Sequence, residues 1–351
     1  MVHGRGGHVY QSTVWAAQRE RLGWRPSFVM LDDEHGALVL ARPFPLIGGS
    51  SAYVPRGPVA DAAAEPAHGI AERTIALADW LAGQGVDVLA TDAEIPVGGD
   101  GAQVAARLVE AGFRRIPDIQ PSRHRISLEL AVDTDDAAVR AGFTKSTRQR
   151  VKAAEEAGIE IHRHDTGGWD GGGAEFAGPA TSLEAGLGAF ATLLESTGER
   201  LGFRFGPRQV FIDWWRAAHA AGLLVYLEAR EADRLLGGLI LYRHGDRLST
   251  VHSADAPGVR ESHPGVMHLL RWRAIQLAIR EGRSEMDLGG VDVAPDHREP
   301  GEGDAMAGLY EHKRSFGASW VEMIGAHERV NRPWRYAVGR LTRRAARAVR
   351  R

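Results

Sequence analysis

The chain has no cysteine among its 351 residues. That excludes disulfides, thiolate zinc centres and a thiol nucleophile. It also lacks any run approaching the ~18 consecutive apolar residues that a membrane-spanning helix requires. The opening MVHGRGGHVYQ carries no apolar core of a secretory signal, so a cytoplasmic protein is the expectation. No GxSxG elbow, HExxH, EF-hand or phosphate-loop pattern occurs, and neither a serine triad nor a zinc-hydrolase site is expected. With 44% apolar and 25% charged residues the composition is that of a folded protein, and the length accommodates two domains.

Acidic charge is missing from the last segment. Arg329 to Arg351 contains nine arginines and no carboxylate, whereas residues 1–328 hold 34 basic and all 45 acidic residues, a net of −11. In this tail Trp334, Val338, Leu341, Ala345 and Ala348 recur at spacings of four and three, one apolar stripe of a helix with arginines on its other faces. Such a helix could dock on the body, touch acidic lipid headgroups in a peripheral contact at the inner membrane face, or clamp nucleic acid. The pattern leaves all three open.

Along the chain, two halves share one order of elements. In the first, an amphipathic segment (Gln11–Leu22) precedes SFVMLDDEHGALVLARP, two β-like runs around a polar turn. Extended AYVPRGPV follows, then a helix near Ala63–Gln84, the strand VDVLATD ending at Asp92, a helix at Ala102–Ala111 and the strand HRISLELAV. In the second, helices near Leu183–Thr197 and Pro207–Ala221 precede LLVYLEAR and RLLGGLILYRH, then extended RLSTVHSA. A helix near Gly265–Arg280 then leads into SEMDLGG. Repeated hairpin, crossover helix and parallel strand predict a duplicated α/β chain. Between the halves, FTKSTRQRVKAAEEAGIEIHR predicts a helix capped by Thr144 or Ser146 and stopped at Gly158, then a strand. The Gly-rich run His164–Ser182 predicts a flexible surface loop.

Several residues carry candidate chemistry. DLGGV followed by a polar loop and GLYEHKRSFG places Lys313 on a short helix beside a strand that stops at two glycines. A lysine held there could neutralise a developing oxyanion. Lys145, Arg148, Arg150 and Lys152 make the start of the linking helix basic, either a phosphate site or a solvated face balanced by Glu155 and Glu156. Asp92 and Glu94 follow a predicted parallel strand, where a carboxylate could orient an amine or take its proton, or simply cap a turn. His162, His164 and Asp165 lack a third spaced ligand, and no metal is expected.

Taken together, QSTVWA (Gln11–Ala16), YVPRGPVAD (Tyr53–Asp61), IQP (Ile119–Pro121), KSTRQRVKAAEEAGIEIH (Lys145–His162), MDLGGV (Met286–Val291) and GLYEHKRSFG (Gly308–Gly317) are spread over nearly the whole chain. In this order they resemble the Fem family (FemABX) of tRNA-dependent peptidoglycan aminoacyltransferases, in its compact, armless FemX-like subgroup. The resemblance implies an α/β fold of two tandem acetyltransferase-like (GNAT) domains, mixed sheets flanked by helices, without a coiled-coil arm. It implies a first domain over 1–135, with 320–351 returning to it, and a second over 136–319. It further implies transfer of an amino acid from aminoacyl-tRNA to the free amine of a muropeptide stem, nucleotide- or lipid-linked, with no acetyl-CoA and no other cofactor. Lys313 falls on the family's lysine at the tetrahedral intermediate, and His312 stands where an aromatic residue is usual. Arg19 and Arg204, with Arg208 as the alternative to the latter, fall on substrate phosphate positions. Asp92 matches an acidic site. Lys145 and Arg148 would meet the tRNA phosphates. Rival expectations are the same chemistry on a small molecule or peptide natural product, an acetyl-CoA-dependent acyltransferase, and an inactive tRNA- or membrane-binding module.

Overall fold

The computed structural model describes residues 2, 7–45, 47–58, 67–120, 123–166, 175–201 and 206–349. They form two compact units, Met1–His124 with Val321–Arg351, and Arg125–Trp320. The eight residues 167–174 of the predicted Gly-rich loop lie outside the described residues.

The chain enters the first unit through α1 (Thr13–Arg21), whose N-cap Ser12 accepts from the Trp15 N–H at 3.0 Å. Strands β1 (Arg25–Met30), β2 (Gly36–Pro43) and β3 (Ser50–Val54) run antiparallel to one another. Helix α2 (Ala67–Gly83) crosses over to β4 (Val86–Thr91), parallel to β3, and α3 (Gly101–Glu110) leads to the short β5 (Phe113–Arg115). The apolar run of β2 is buried along Gly36–Leu40, and its core partners include Ile70, Leu77, Leu81 and Leu89 from α2 and β4.

The second unit begins with β6 (Arg125–Glu129), α4 (Asp136–Ala141), α5 (Lys145–Glu156) and β7 (Glu160–His164). Helices α6 (Leu183–Leu201) and α7 (Arg208–Ala220) precede the antiparallel strands β8 (Leu224–Glu231), β9 (Arg234–His244) and β10 (Arg247–Asp255). After α8 (Val259–Ser262), the crossover α9 (Val266–Arg280) delivers β11 (Glu285–Asp287) parallel to β10. Then come α10 (Ala307–Arg314) and β12 (Ser319–Val321). The apolar face of α9 supplies Val266, Leu269, Leu270, Ile275 and Leu277 to a core shared with β8, β9 and β10. Last, β13 (His327–Val330) and α11 (Pro333–Val349) return to the first unit.

The two sheets follow one plan. The first has the order β1-β2-β3-β4-β13-β5 and the second β12-β6-β11-β10-β9-β8-β7. Each runs through antiparallel strands to one parallel pair, β3 with β4 and β10 with β11, and then takes in a strand that chain order assigns elsewhere. In the first sheet β13 sits antiparallel between β4 and β5; in the second, β6 lies antiparallel to β11. The duplication predicted from the sequence is thus accompanied by a reciprocal exchange of one strand. This is also why the division falls at 124/125 rather than at 135. HRISLEL alternates as a strand in either sheet, and the ladder Ser127↔Asp287 to Glu129↔Glu285 puts it in the second.

Candidate functional site

Lys313 lies on α10, with Tyr310 and Phe316 buried three residues to either side, so the motif turns one face into the core. Phe316 meets Phe143 edge-on at 5.0 Å between centroids and fixes the helix end. The lysine Nζ donates to the carbonyl of Gly289 at 2.8 Å and of Gly290 at 3.3 Å, just past the end of β11. Next to it, β10 has a register irregularity between Thr250 and His252. Gly289 is obligatory there. Its φ is +81°, and a Cβ would come within 2.8 Å of the Thr250 carbonyl oxygen and 3.2 Å of the lysine nitrogen. Two of the three ammonium N–H groups are directed at carbonyls, which among the described residues leaves one for a ligand. Burial, reinforced by the Arg271 cation and opposed by Asp287, lowers the Lys313 pKa to about 7.

Arg271 was not a candidate from the sequence. It sits on α9, 1% exposed, and its Nε donates to His312 Nε2 at 2.8 Å. Because that imidazole nitrogen accepts, Nδ1 of His312 carries the proton and donates to His268 Nε2 at 3.1 Å, a tautomer assigned from the network. Burial and the neighbouring Arg271 push the His312 pKa well below the usual imidazole range. Burial, with Arg150 and Arg271, takes His268 to about 4. Arg271 itself is lowered to about 10 by burial, and its Nη1 is buried without a hydrogen-bond partner among the described residues. His312, expected to bind substrate, is here a neutral link between Arg271 and His268 beside Lys313. The available signal was His268 and Arg271 at i and i+3 on α9, a spacing that puts both on one side of the helix, although Arg273, Gln276 and Arg280 make it one polar pair among several.

The linking helix α5 braces this segment. Of the two caps the sequence offered, Thr144 is the N-cap, accepting from the Thr147 N–H at 3.3 Å. The Thr144 N–H donates to the Ser315 carbonyl, the Thr147 hydroxyl to Ser315 Oγ at 2.7 Å, and Ser315 Oγ to the His312 carbonyl at 2.8 Å. Of the two predicted tRNA-phosphate residues, Lys145 is exposed at the first helical position. Arg148 instead donates to the carbonyls of Ala141 (3.2 Å) and Phe143, so its guanidinium closes the preceding turn.

The first unit holds a second polar cluster at the equivalent place, the C-terminal ends of β3 and β4. Asp92, 4% exposed, accepts from the Tyr53 hydroxyl at 2.9 Å and the Arg56 N–H at 2.7 Å. The Arg56 guanidinium lies 3.8 Å from Asp92 and 3.7 Å from Glu94. Arg56 is held at φ +48°, a conformation costly for a side chain bearing a Cβ. Burial raises the Asp92 pKa despite Arg56 and the donated hydrogen bonds. With both oxygens already accepting, Asp92 is better placed to position Tyr53 and Arg56 than to take a proton. Gln120 Nε2 donates to the Tyr53 hydroxyl at 2.9 Å. Beside this group is a small recess whose lining includes Arg56, Asp92, Asp118, Gln120, Arg123 and Met323. Arg19 lies 4.3 Å over the Trp15 ring, its pKa lowered by burial and its Nε buried without a hydrogen-bond partner among the described residues. Tyr10 stacks on the same Trp15 at 4.1 Å and feels the charges of Arg56, Arg19, Asp92 and Glu94, so Arg19 and Asp92 belong to one neighbourhood. Arg204 lies outside the described residues. Its alternative, Arg208, is engaged with Glu195 at 2.8 Å and with Thr192 and the Gly188 carbonyl.

The two histidines of HxHD are used structurally. His162 Nδ1 is 2.7 Å from the Gly178 carbonyl oxygen, and His164 Nε2 is 3.4 Å from the buried Glu228 carboxylate. Asp165 is clamped by Arg163 and Arg243, which hold its carboxyl below the usual range against the effect of burial. Among the described residues no cluster of three or more potential metal ligands occurs, and no helix is long and apolar enough to cross a membrane.

Residues 141–314 match the family model described as an acetyltransferase (GNAT) domain. The crystal structure of FemX superposes with a TM-score of 0.73 at 18% identity, covering 95% of each chain. L-PGS from Bacillus licheniformis is similar at a TM-score of 0.50 and 12% identity, over 97% of this chain and 98% of that one. The C-terminal domain of a putative lysylphosphatidylglycerol synthetase from Agrobacterium fabrum gives 0.50 at 11% identity, over 95% and 91%. No curated protein matches the sequence. The class is thus an α/β fold of GNAT type, with two units built on one strand plan. In particular, the chain has a FemX-like fold.

Proposed function

We propose that this chain is an aminoacyltransferase that moves an amino acid from aminoacyl-tRNA to the free amine of a peptidoglycan-precursor stem peptide. The observation that carries the reading is Lys313: a buried lysine tied to the carbonyls where β10 and β11 part, with one N–H left over. An aminoacyl ester is already activated, so the protein need supply mainly orientation and charge stabilisation. The acceptor nitrogen forms the new C–N bond, and the carbonyl oxygen becomes an oxyanion that the Lys313 ammonium neutralises. The ester C–O bond then breaks, and the amine's proton leaves on the departing ribose oxygen, directly or through water. Arg19 is proposed for a substrate phosphate, and Asp92 for positioning Tyr53 and Arg56.

An aminoacyl ester is favoured over acetyl-CoA as donor by the start of α9, where a GNAT domain would cradle the coenzyme pyrophosphate. The segment RESHPGVMH has a proline and one glycine. A Cβ on that glycine, Gly265, would lie 2.3 Å from the Arg150 carbonyl oxygen of α5, so a neighbouring helix crowds the turn. Charged tRNAs incubated with nucleotide-linked and lipid-linked muropeptides, followed by mass spectrometry, test the proposal. The expected product is an acceptor heavier by one amino-acid residue. Failure of every pairing, together with saturable binding of acetyl-CoA, would overturn it.

A further inference from the structure

An amphipathic helix at the edge of a folded domain ordinarily turns its apolar stripe inward. Helix α11 does the reverse. Its inward contacts are polar or close-packed backbone. Arg332 Nη1 and Arg335 Nε lie 3.3 Å and 3.5 Å from the carboxylate of the fully buried Asp87. The Tyr336 hydroxyl donates to Glu328 at 3.0 Å. Gly339 packs so closely that a Cβ would come within 2.5 Å of the Phe44 ring. On the opposite side Trp334 is 67% exposed, Val338 38% and Leu341 63%. With the helix anchored through Asp87, Glu328 and Phe44, this stripe cannot rotate into its own domain without breaking those contacts.

From this geometry we infer that α11 is a docking surface for an anionic phospholipid bilayer. The stripe offers the tryptophan and aliphatic side chains that insert at the boundary between headgroups and acyl chains. Arg340 is exposed on the same helix and lies over the Tyr336 ring at 5.6 Å, a cation available to anionic headgroups beside the stripe. Charge complementarity selects the lipid. The segment from Arg329 carries nine arginines and no carboxylate, while residues 1–328 sum to −11. An anionic surface therefore attracts this end of the chain and repels the rest, which orients the molecule as well as holding it. A nucleic-acid surface would use the arginines but leave the three outward apolar side chains unexplained. The inference does not depend on the proposed transfer reaction.

The test is co-flotation of the full chain with vesicles of phosphatidylcholine alone or with about 30 mol% phosphatidylglycerol. Expected is binding at least ~10-fold stronger to the anionic vesicles, weakened as salt rises from about 0.1 M to about 1 M. The variant W334E/L341E should lose at least ~10-fold in binding, whereas W334F, which keeps an aromatic ring, should bind nearly as well as the parent. Both positions face outward, so the thermal unfolding midpoint should hold in either variant. Equal binding of W334E/L341E, indifference to phosphatidylglycerol, or no flotation at all would overturn the inference. So would a solution dimer, or a tRNA complex formed without vesicle binding, that W334E/L341E disrupts.

Discussion

At the residue scale the proposed transfer turns on the charge state of Lys313. Its ammonium is the form that stabilises an oxyanion, and burial brings its pKa to about 7. The protonated fraction falls as pH rises through that value, so the rate of aminoacyl transfer should decline with a midpoint near 7. A lysine acting as a neutral base would give the opposite slope. Replacing Lys313 by Met should lower transfer about 10²- to 10³-fold, the usual loss for one electrostatic stabiliser, with an unchanged circular dichroism spectrum. Arg271 adds a second cation that depresses the Lys313 pKa. Arg271→Met should therefore shift the decline to higher pH, as read from a pH–rate profile. A profile that does not move would confine Arg271 to holding His312.

At the element scale, the Lys313 segment is a junction of α10, α5 and the ends of β10 and β11. Gly289 is its tightest point. Gly289→Ala forces a Cβ against the Thr250 carbonyl at a left-handed φ, so we expect a loss of roughly 1–3 kcal/mol in denaturant unfolding. Transfer should fall together with stability, because the same Cβ would press on the Lys313 nitrogen. The basic start of α5 shows how far pattern reading reaches. Its stop at Gly158, and a cap at Thr144 or Ser146, were visible in TKSTRQRVKAAEEAG, since both are local backbone effects. That Arg148 closes the preceding turn, and that Thr147 grips Ser315, depends on segments far away or folded back, and no spacing encodes it.

At the scale of the whole molecule, the exchanged strands tie the ends of the chain to its architecture. β13 is hydrogen-bonded on both sides, to β4 through Ala90 and Leu89 and to β5 through Arg114 and Phe113. Deleting residues 322–351 would leave β5 without a partner and open an edge on β4. The first unit should then lose its cooperative unfolding transition while the second stays resistant to limited proteolysis. A truncated chain that unfolds in the parent manner would show that β13 is dispensable.

The duplicated α/β plan, the Lys313 helix beside its glycines, the position of Asp92 after a parallel strand and the apolar stripe of the tail were all legible in the residues. Periodicity, caps and strand-ending glycines act over a few positions, and local sterics and hydrogen bonding suffice to specify them. Three-dimensional packing alone set which sheet receives HRISLEL, which buried cation neighbours Lys313, and which side of α11 faces outward. An alternating strand fits either sheet, Arg271 and Arg273 look alike until one is desolvated, and a helix with two distinct faces does not say which will be covered. Those choices depend on the partners that burial brings together: Asp287 for β6, His312 for Arg271, and Asp87 for the arginines of α11.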